Sequence, residues 1–254
     1  MADDRNSDRG SRGERRERED PADSGTQASG ARRGAAITEK SGVRNVRRLA
    51  LAGLVVVALI AVVIFAISHR SKPSETRVSG GAHPTLQDYF SQNAIRSVPV
   101  LRGDPGAPAI TLPLPPGWSD AGSDIPEGAY GAVFFDNSAN PDYPPSIVAL
   151  LSKLEGDADP EKVLEYAAGE LENLPDYEPV SDPSRTTLSG FEAVQLGGLY
   201  SQGGAQRIIA QKTVLIPSGD GLFILQLNAD APKGEATVLQ EATTLLDEQA
   251  KIET

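Results

Sequence analysis

The sequence contains no cysteine among its 254 residues. This absence excludes disulfide bonds, thiol catalysis and metal sites with cysteine ligands. It also excludes the lipidated cysteine that a bacterial lipoprotein requires. We therefore expect any attachment to a membrane to come from the polypeptide itself.

Histidine is almost as scarce, because the chain has only His69 and His83. Both flank a Ser- and Gly-containing stretch ahead of the region predicted to fold, so neither a Ser-His-Asp triad nor a histidine metal site is expected. Nucleophile-elbow, dinucleotide-binding and P-loop motifs are also absent. We expect a protein that is not an enzyme, with no cofactor and no bound metal.

Positive charge is sparse in the longer part of the chain. Residues 71–254 hold 26 Asp and Glu against 11 Lys and Arg, whereas residues 1–48 hold nine acidic and 12 basic residues. A region with a net charge of −15 repels the phosphates of nucleic acids and anionic lipid headgroups. No nucleic-acid partner is therefore expected.

Residues 49–68 form an apolar run of 20 residues without a charge. A helix of that length spans about 30 Å, the thickness of a bilayer's hydrocarbon core, and this predicts one transmembrane helix. Arg44, Arg47 and Arg48 favour a cytoplasmic N-terminus with the later residues outside the cytoplasm. Two alternatives stay open: a signal peptide cleaved near Ala66 and Ser68, and a buried helix of a soluble domain.

The apolar run divides the chain into regions of different character. Residues 1–48 are rich in Arg, Asp, Glu, Gly and Ser, which predicts a disordered cytoplasmic tail. Residues 69–83 have the composition of a flexible linker with a reach of about 20 Å. The segment 84–254 is long enough to bury a core. It is predicted to form one extracytoplasmic domain close to the outer surface of the cell membrane.

Helical and strand patterns follow one another within residues 84–254. Leu86, Tyr89 and Phe90 recur at helical spacing and predict a helix over 85–95, while Asp159 and Pro160 predict a helix start. That second helix is predicted to end before Pro175, and a third covers 238–248. Alternating or apolar runs predict strands over 110–114, 131–137, 146–154, 191–200, 206–216 and 222–228.

The connections between these elements predict an α/β (α+β) fold. Turn-rich segments at 201–205 and 217–221 predict hairpins and therefore antiparallel strands. The nearly continuous apolar run 146–154 is typical of a central strand that is covered on both faces. The prolines of 110–114 favour an edge strand, and the stretch with Pro179 and Pro183 is predicted to be a loop. We therefore expect an antiparallel sheet sandwiched by helices.

Two motifs carry a resemblance to a known family: PTLQDYF at 84–90 and ITLPLPPGW at 110–118. With the order of the predicted elements, the chain resembles the mycobacterial LpqN/LpqT family of probable lipoproteins over about residues 84–252. The resemblance implies a PsbP-like sandwich in an actinobacterial cell envelope, with lipid binding or association with envelope-lipid transport machinery. It implies no catalytic residue. The run 49–68 would replace the family's lipid anchor.

Candidate binding residues come from the aromatic side chains of the predicted strands. Such rings could line the apolar cleft that a lipid-handling domain requires, although alternating aromatic residues ordinarily belong to a core. Both interpretations stay open. The candidates are Trp118, Tyr130, Phe134, Tyr200 and Phe223.

Carboxylates are the remaining groups that could act in catalysis or bind a cation. Asp159 is best explained as a helix cap, and neither Asp157 nor Glu161 completes a calcium loop. Asp136 and Asp142 bracket a loop that could bind a cation or a sugar, although such residues usually shape turns.

These features predict a single-pass membrane protein whose extracytoplasmic domain is a non-catalytic accessory factor of the envelope. It would bind lipids, glycolipids or an envelope transport partner, and the tether would raise its concentration near partners in the same membrane. A protein-interaction module without a lipid pocket is the alternative. A carboxylate-dependent enzyme is the third hypothesis.

Overall fold

The structure of the protein is a computed structural model that describes residues 83–219 and 221–254. The predicted tail 1–48, the predicted transmembrane helix 49–68 and the linker before residue 83 lie outside the described residues. Within the described ranges, no helix combines the length and apolar character that a membrane span requires. The described residues are those that the sequence predicts to fold.

Strands dominate the described region, and the helices are few and mostly short. The helices are α1 (Leu86–Gln92), α2 (Pro160–Tyr166), α3 (Gly169–Glu172) and α4 (Ala236–Gln249). The strands are β1 (Arg96–Pro99), β2 (Ala109–Thr111), β3 (Trp118–Asp120), β4 (Gly131–Phe135), β5 (Ser146–Glu155), β6 (Glu178–Leu188), β7 (Phe191–Gln202), β8 (Ala205–Ser218), β9 (Gly221–Pro232) and β10 (Lys251–Glu253).

A large antiparallel sheet forms the centre of the fold, with the strand order β3-β4-β5-β9-β8-β7-β6. β4 pairs with the first half of β5, and β1 pairs with its second half. β7, β8 and β9 are joined as consecutive hairpins, which confirms the prediction from the turn-rich segments. β5 lies inside the sheet, as its apolar sequence predicted.

The two faces of the sheet are covered by different elements. Successive residues of a strand point to opposite faces, so Ile224 and Leu225 of β9 belong to different clusters. Ile224 packs with buried residues of α1 and α2, and Leu225 packs with Ile110 of β2 and Ile252 of β10. α4 covers the same face as β2 and β10, further along the sheet.

Local sequence signals determine where α1 and α2 begin. Thr85 caps α1: its hydroxyl accepts from the backbone N–H of Asp88, whose carboxylate accepts from the Thr85 N–H at 2.8 Å. Asp159 caps α2 by accepting from the Glu161 N–H at 2.9 Å, and Pro160 occupies the first turn.

α3 holds the start of the described chain. The carboxyl of Glu170 accepts a hydrogen bond from the Leu86 N–H at 3.1 Å. The side chain of Asn173, which ends α3, bonds both backbone groups of His83, accepting from its N–H at 3.1 Å and donating to its carbonyl at 2.7 Å. We call these contacts of residues 169–173 with residues 83–86 the α3 clasp.

Residues 178–188 are an edge strand, so the prediction of a loop was wrong. Pro179 and Pro183 are tolerated in β6 because only β7 pairs with this strand. The pairing shifts register between Pro179 and Ser181 and again between Ser181 and Ser184. These irregularities accommodate the prolines without ending the strand.

Other boundaries also differ from the predictions. α1 ends at Gln92 rather than 95, because Ala94 adopts a left-handed backbone (φ 55°), and the unpredicted strand β1 follows. The helix predicted to run up to Pro175 is interrupted, giving α2 and α3. The strand predicted over 110–114 is reduced to β2, which pairs with the unpredicted β10 in a separate two-stranded sheet. β3 was also unpredicted.

Candidate functional site

A groove of about 410 Å³ lies between α4 and the sheet face that α4 covers. We call it the α4 groove. Its floor consists of residues from β5, β7, β8 and β9, and α4 forms one wall. The residues that line it include Ile147, Val180, Gln195, Gly197, Ile208, Ala210, Lys212, Leu227, Ala229, Leu239, Gln240, Thr243, Leu246 and Asp247.

The groove exists because three small residues stand side by side on the floor. Gly197 of β7 pairs with Ala210 of β8, and Ala210 pairs with Ala229 of β9. Leu239 and Leu246 of α4 pack against the floor. Larger side chains at the three positions would fill the space below α4. The row of small residues therefore keeps an apolar channel open.

The floor and the helix give the channel a direction. Ile208 and Lys212 of β8 are about 13 Å apart along an extended strand, and Ala236 and Asp247 are about 16 Å apart along α4. The end near Ile208 is lined by aliphatic side chains. The other end carries a charged pair, so the channel is apolar along its length and polar at one end.

Lys212 and Asp247 form that charged pair, with 2.5 Å between Nζ and Oδ1. The Lys212 side chain is only 9% exposed, whereas that of Asp247 is 43% exposed. Gln195 lies directly across from Lys212 in the β7–β8 register. Thr243, one turn before Asp247 on α4, also lines the groove. Together these groups can donate and accept hydrogen bonds at one end of an apolar channel.

The edge strand β6 reaches the rim of the groove. Val180 lines the groove and is 67% exposed, which is the largest exposure among the large apolar side chains that the described region leaves in solvent. Ser181 lies beside it. An apolar side chain at the rim extends the surface that a ligand could contact.

The opposite face of the sheet carries a buried polar network. Asp230 accepts from the Tyr200 hydroxyl at 2.7 Å and from Arg207 Nε at 2.7 Å, and Arg207 also forms an ion pair with it. Burial and the adjacent Asp230 carboxylate raise the pKa of Tyr200. Nearby, Gln211 donates to Asn228 at 2.9 Å. Hydrogen bonds satisfy the Asp230 charge, which is typical of a structural role.

Comparison with known proteins gives the chain a family. The family described as Probable lipoprotein LpqN matches residues 82–253. The chain belongs to the LpqN family. It is 48% identical over 177 residues to Lipoprotein LpqN of Mycobacterium tuberculosis, covering 68% of this chain and 76% of that protein. The resemblance found in the sequence is thereby confirmed.

A solved structure of LpqN and one further relative are also similar to this chain. A crystal structure of LpqN involved in cell envelope biogenesis of Mycobacterium tuberculosis matches with a TM-score of 0.65 and 48% identity, covering 68% of this chain and 100% of that one. The Proline-rich 28 kDa antigen homolog of Mycobacterium leprae is 22% identical over 169 residues. That match covers 66% of this chain and 60% of the antigen homolog.

The structure does not bring the five candidate aromatic residues of this LpqN-family chain together. Trp118 packs with α4, and Tyr200 lies under α3 on the opposite face. Tyr130 and Phe223 share the cluster that β2 and β10 cover, while Phe134 packs beside Ala132 in another cluster. These rings pack with core clusters, and the lining of the α4 groove contains none of them.

The candidate carboxylates are placed at turns and helix ends. Asp159 caps α2, as predicted, and Asp157 and Glu161 lie exposed on either side of it. Asp136 and Asp142 are both exposed, and the Asp142 N–H donates to Asn140 at 3.3 Å within the loop. Among the described residues, no three His, Cys, Asp or Glu side chains group as metal ligands.

Sequence reasoning missed the α4 groove because its floor is assembled from single residues of four strands. Gly197, Ala210 and Ala229 are unremarkable in their own strands, and only the register brings them into one row. Lys212 did carry a usable signal. It is a charged residue within the apolar strand β8, and such a residue needs a partner or a ligand when it is buried.

Proposed function

We propose that this LpqN-family protein is a non-catalytic accessory factor of the cell envelope that binds a lipid or glycolipid in the α4 groove. The observation that carries the proposal is the apolar channel above Gly197, Ala210 and Ala229, which ends at hydrogen-bonding side chains. Its volume of about 410 Å³ lies in the range of small-molecule sites.

The chemistry of the groove suits an amphiphile better than a wholly polar or wholly apolar ligand. An acyl chain on the aliphatic floor would be removed from water, which is favourable by roughly 0.8 kcal/mol per buried CH₂ group. A headgroup at the other end would meet Gln195 and Thr243. This amide and this hydroxyl supply both donors and acceptors, as sugar hydroxyls require.

The family adds the biological setting. LpqN of Mycobacterium tuberculosis is a lipoprotein that is involved in cell envelope biogenesis. This chain has no cysteine for lipid attachment, and residues 49–68 have the length and composition of a membrane-spanning helix. In the proposed arrangement that segment keeps the domain outside the cytoplasm and close to lipid or to an envelope transport partner.

A photo-crosslinking experiment tests the groove. The full chain is placed in phosphatidylcholine nanodiscs and exposed to an alkyl maltoside whose chain carries a diazirine. Labelling should fall on peptides of α4 and β8. Ala210→Leu should reduce it by at least about tenfold, because the new side chain fills the floor.

The matched control for this test is Ala205→Leu, which makes the same change at an exposed position of the same strand. It should leave the labelling within about twofold of the unchanged protein. Equal labelling of the Ala210→Leu and Ala205→Leu proteins, or labelling confined to residues 49–68, would contradict lipid binding in the groove.

A protein-interaction role is the second candidate, and the exposed edge of β6 favours it. The stretch from Glu178 to Arg185 is exposed, and only β7 pairs with the strand. A partner strand could add to such an edge. Replacing Val180 with Lys and comparing the proteins crosslinked in native membranes tests this role, since loss of one specific crosslinked protein is expected.

A further inference from the structure

We infer that Lys212 gives the α4 groove a preference for amphiphiles with an anionic headgroup, such as an alkyl phosphate or a fatty carboxylate. This inference rests on the proposed function and deepens it by naming the headgroup chemistry. It starts from the asymmetry of one ion pair: a buried ammonium group faces a carboxylate that water reaches.

Lys212 has little freedom to leave the groove. It lies within β8, where its neighbours in register are Gln195 of β7 and Leu227 of β9. Its side chain points to the face that α4 covers. An ammonium group carries three N–H donors, and within the described part of the chain its hydrogen bond is to Asp247. Donors therefore remain for a ligand at the polar end of the groove.

Asp247 is the more exposed member of the pair. It occupies the last turn of α4, and its side chain is 43% exposed. A carboxylate with that exposure regains hydration when it turns to solvent, so releasing it costs little. An anionic headgroup can then take its place beside Lys212. A neutral headgroup cannot compensate the buried ammonium charge and leaves the pair intact.

The acidity of the region does not cancel this preference. At physiological ionic strength, charges further away than about 8 Å are largely screened. Among the described residues that line the groove, Lys212 is the only basic one and Asp247 the only acidic one. The distant negative charges therefore slow the approach of an anion, while the local pair determines how firmly it is held.

The position of Lys212 also fits the tail of such a ligand. Ala210 lies two residues before Lys212 on the same face of β8, about 7 Å along the strand. An anionic group bonded to Lys212 thus has its alkyl chain at the entrance of the small-residue row. From there the chain can extend over Ala210 and Ala229 towards Ile208.

Three diazirine probes with the same alkyl chain test this inference: an alkyl phosphate, a fatty carboxylate and the neutral maltoside. The full chain in phosphatidylcholine nanodiscs is compared with Lys212→Met and Asp247→Asn. Lys212→Met should lower groove labelling by the two anionic probes at least about tenfold. Asp247→Asn should raise it about threefold, because the competing carboxylate is gone. Labelling by the maltoside should stay within about twofold in both variants.

Lys162→Met in α2 is the matched control, since it removes an exposed lysine on the sheet face opposite to the α4 groove. It should change none of the three signals. Anionic probes that label the groove no better than the maltoside, or an Asp247→Asn protein without the increase, would overturn the inference while leaving the proposed function intact. Absence of groove labelling with all three probes would instead overturn the proposed function. If Lys212→Met fails to fold, the Asp247→Asn result decides.

Discussion

Gly169 of α3 approaches Pro84 so closely that a Cβ atom at Gly169 would lie 2.0 Å from the Pro84 carbonyl oxygen. The neighbouring Glu170 accepts the N–H of Leu86, so α3 contacts the chain on both sides of Thr85. The start of α1 is therefore packed against backbone as well as capped.

Gly169→Ala should lower the free energy of unfolding by about 1–3 kcal/mol or more, because the new methyl group overlaps backbone that cannot rotate away. Urea denaturation of the variant measures the loss. Gly234→Ala is the control, since a Cβ there meets nothing within 4 Å. If the two variants unfold at the same urea concentration, the close approach of α3 carries no energetic weight.

Glu170→Gln should flatten the pH dependence of stability. Burial raises the pKa of the Glu170 carboxyl from its ordinary value of about 4.5 to about 8. Between these values the folded protein binds more protons than the unfolded chain, so stability falls as pH rises from about 4.5 to about 8. The variant should lose this decline and exceed the parent above pH 8 by a few kcal/mol.

Thermal unfolding between pH 5 and pH 9 checks the Glu170 prediction. Glu165→Gln serves as the control because it removes a carboxylate from the exposed side of α2, where it pairs with Lys162. The control profile should follow that of the parent protein. A Glu170→Gln profile parallel to the parent would show that this carboxyl is ionised throughout the range.

Arg207→Met should destabilise the protein by about 3–5 kcal/mol, because it leaves the buried Asp230 carboxylate without its cation. The exposed pair Arg96–Glu155 offers a comparison, and Arg96→Met should cost less than about 1 kcal/mol. Guanidinium unfolding curves measure both losses. Similar losses for the two arginines would contradict the structural role of the buried network.

Thr85→Ala should cost about 1 kcal/mol, since it removes the hydroxyl that accepts the Asp88 N–H and that donates to the Asp88 carboxylate at 2.7 Å. Thr237→Ala at an exposed position of α4 should be neutral or slightly stabilising, because alanine has the higher helix propensity. Hydrogen exchange should localise the first effect to α1. If the α1 amides of the Thr85→Ala protein were as protected as those of the parent, the capping box would not stabilise the helix.

Much of the fold could be predicted from the sequence because several signals agreed. Hydrophobic period and turn residues together defined β5, β7, β8 and β9, and the structure has these strands within a few residues of the predictions. The same holds for α4. β6 could not be predicted, because two prolines exclude a central strand and nothing local shows that this strand lies at an edge.

The short strands could not be predicted for a different reason. β1, β2, β3 and β10 have three or four residues each, too few to display a period. Their pairing depends on where distant segments meet, as when β2 meets β10. The α4 groove depends on the same information, because a row of small residues across strands is invisible until the register is known.

The β2–β10 pair has a consequence for the kinetics of the groove. Two three-residue strands form a sheet of low intrinsic stability. Ile110 and Ile252 are also far apart in the sequence, so pairing them closes a long loop at a cost in entropy. β10 follows α4 directly after Ala250, so opening of this pair releases the C-terminal end of the helix. The opening rate of the β2–β10 pair, measured by hydrogen exchange of the amides that bond across the two strands, should therefore set an upper limit on how long α4 remains seated. It sets the same limit on the residence time of anything held beneath the helix.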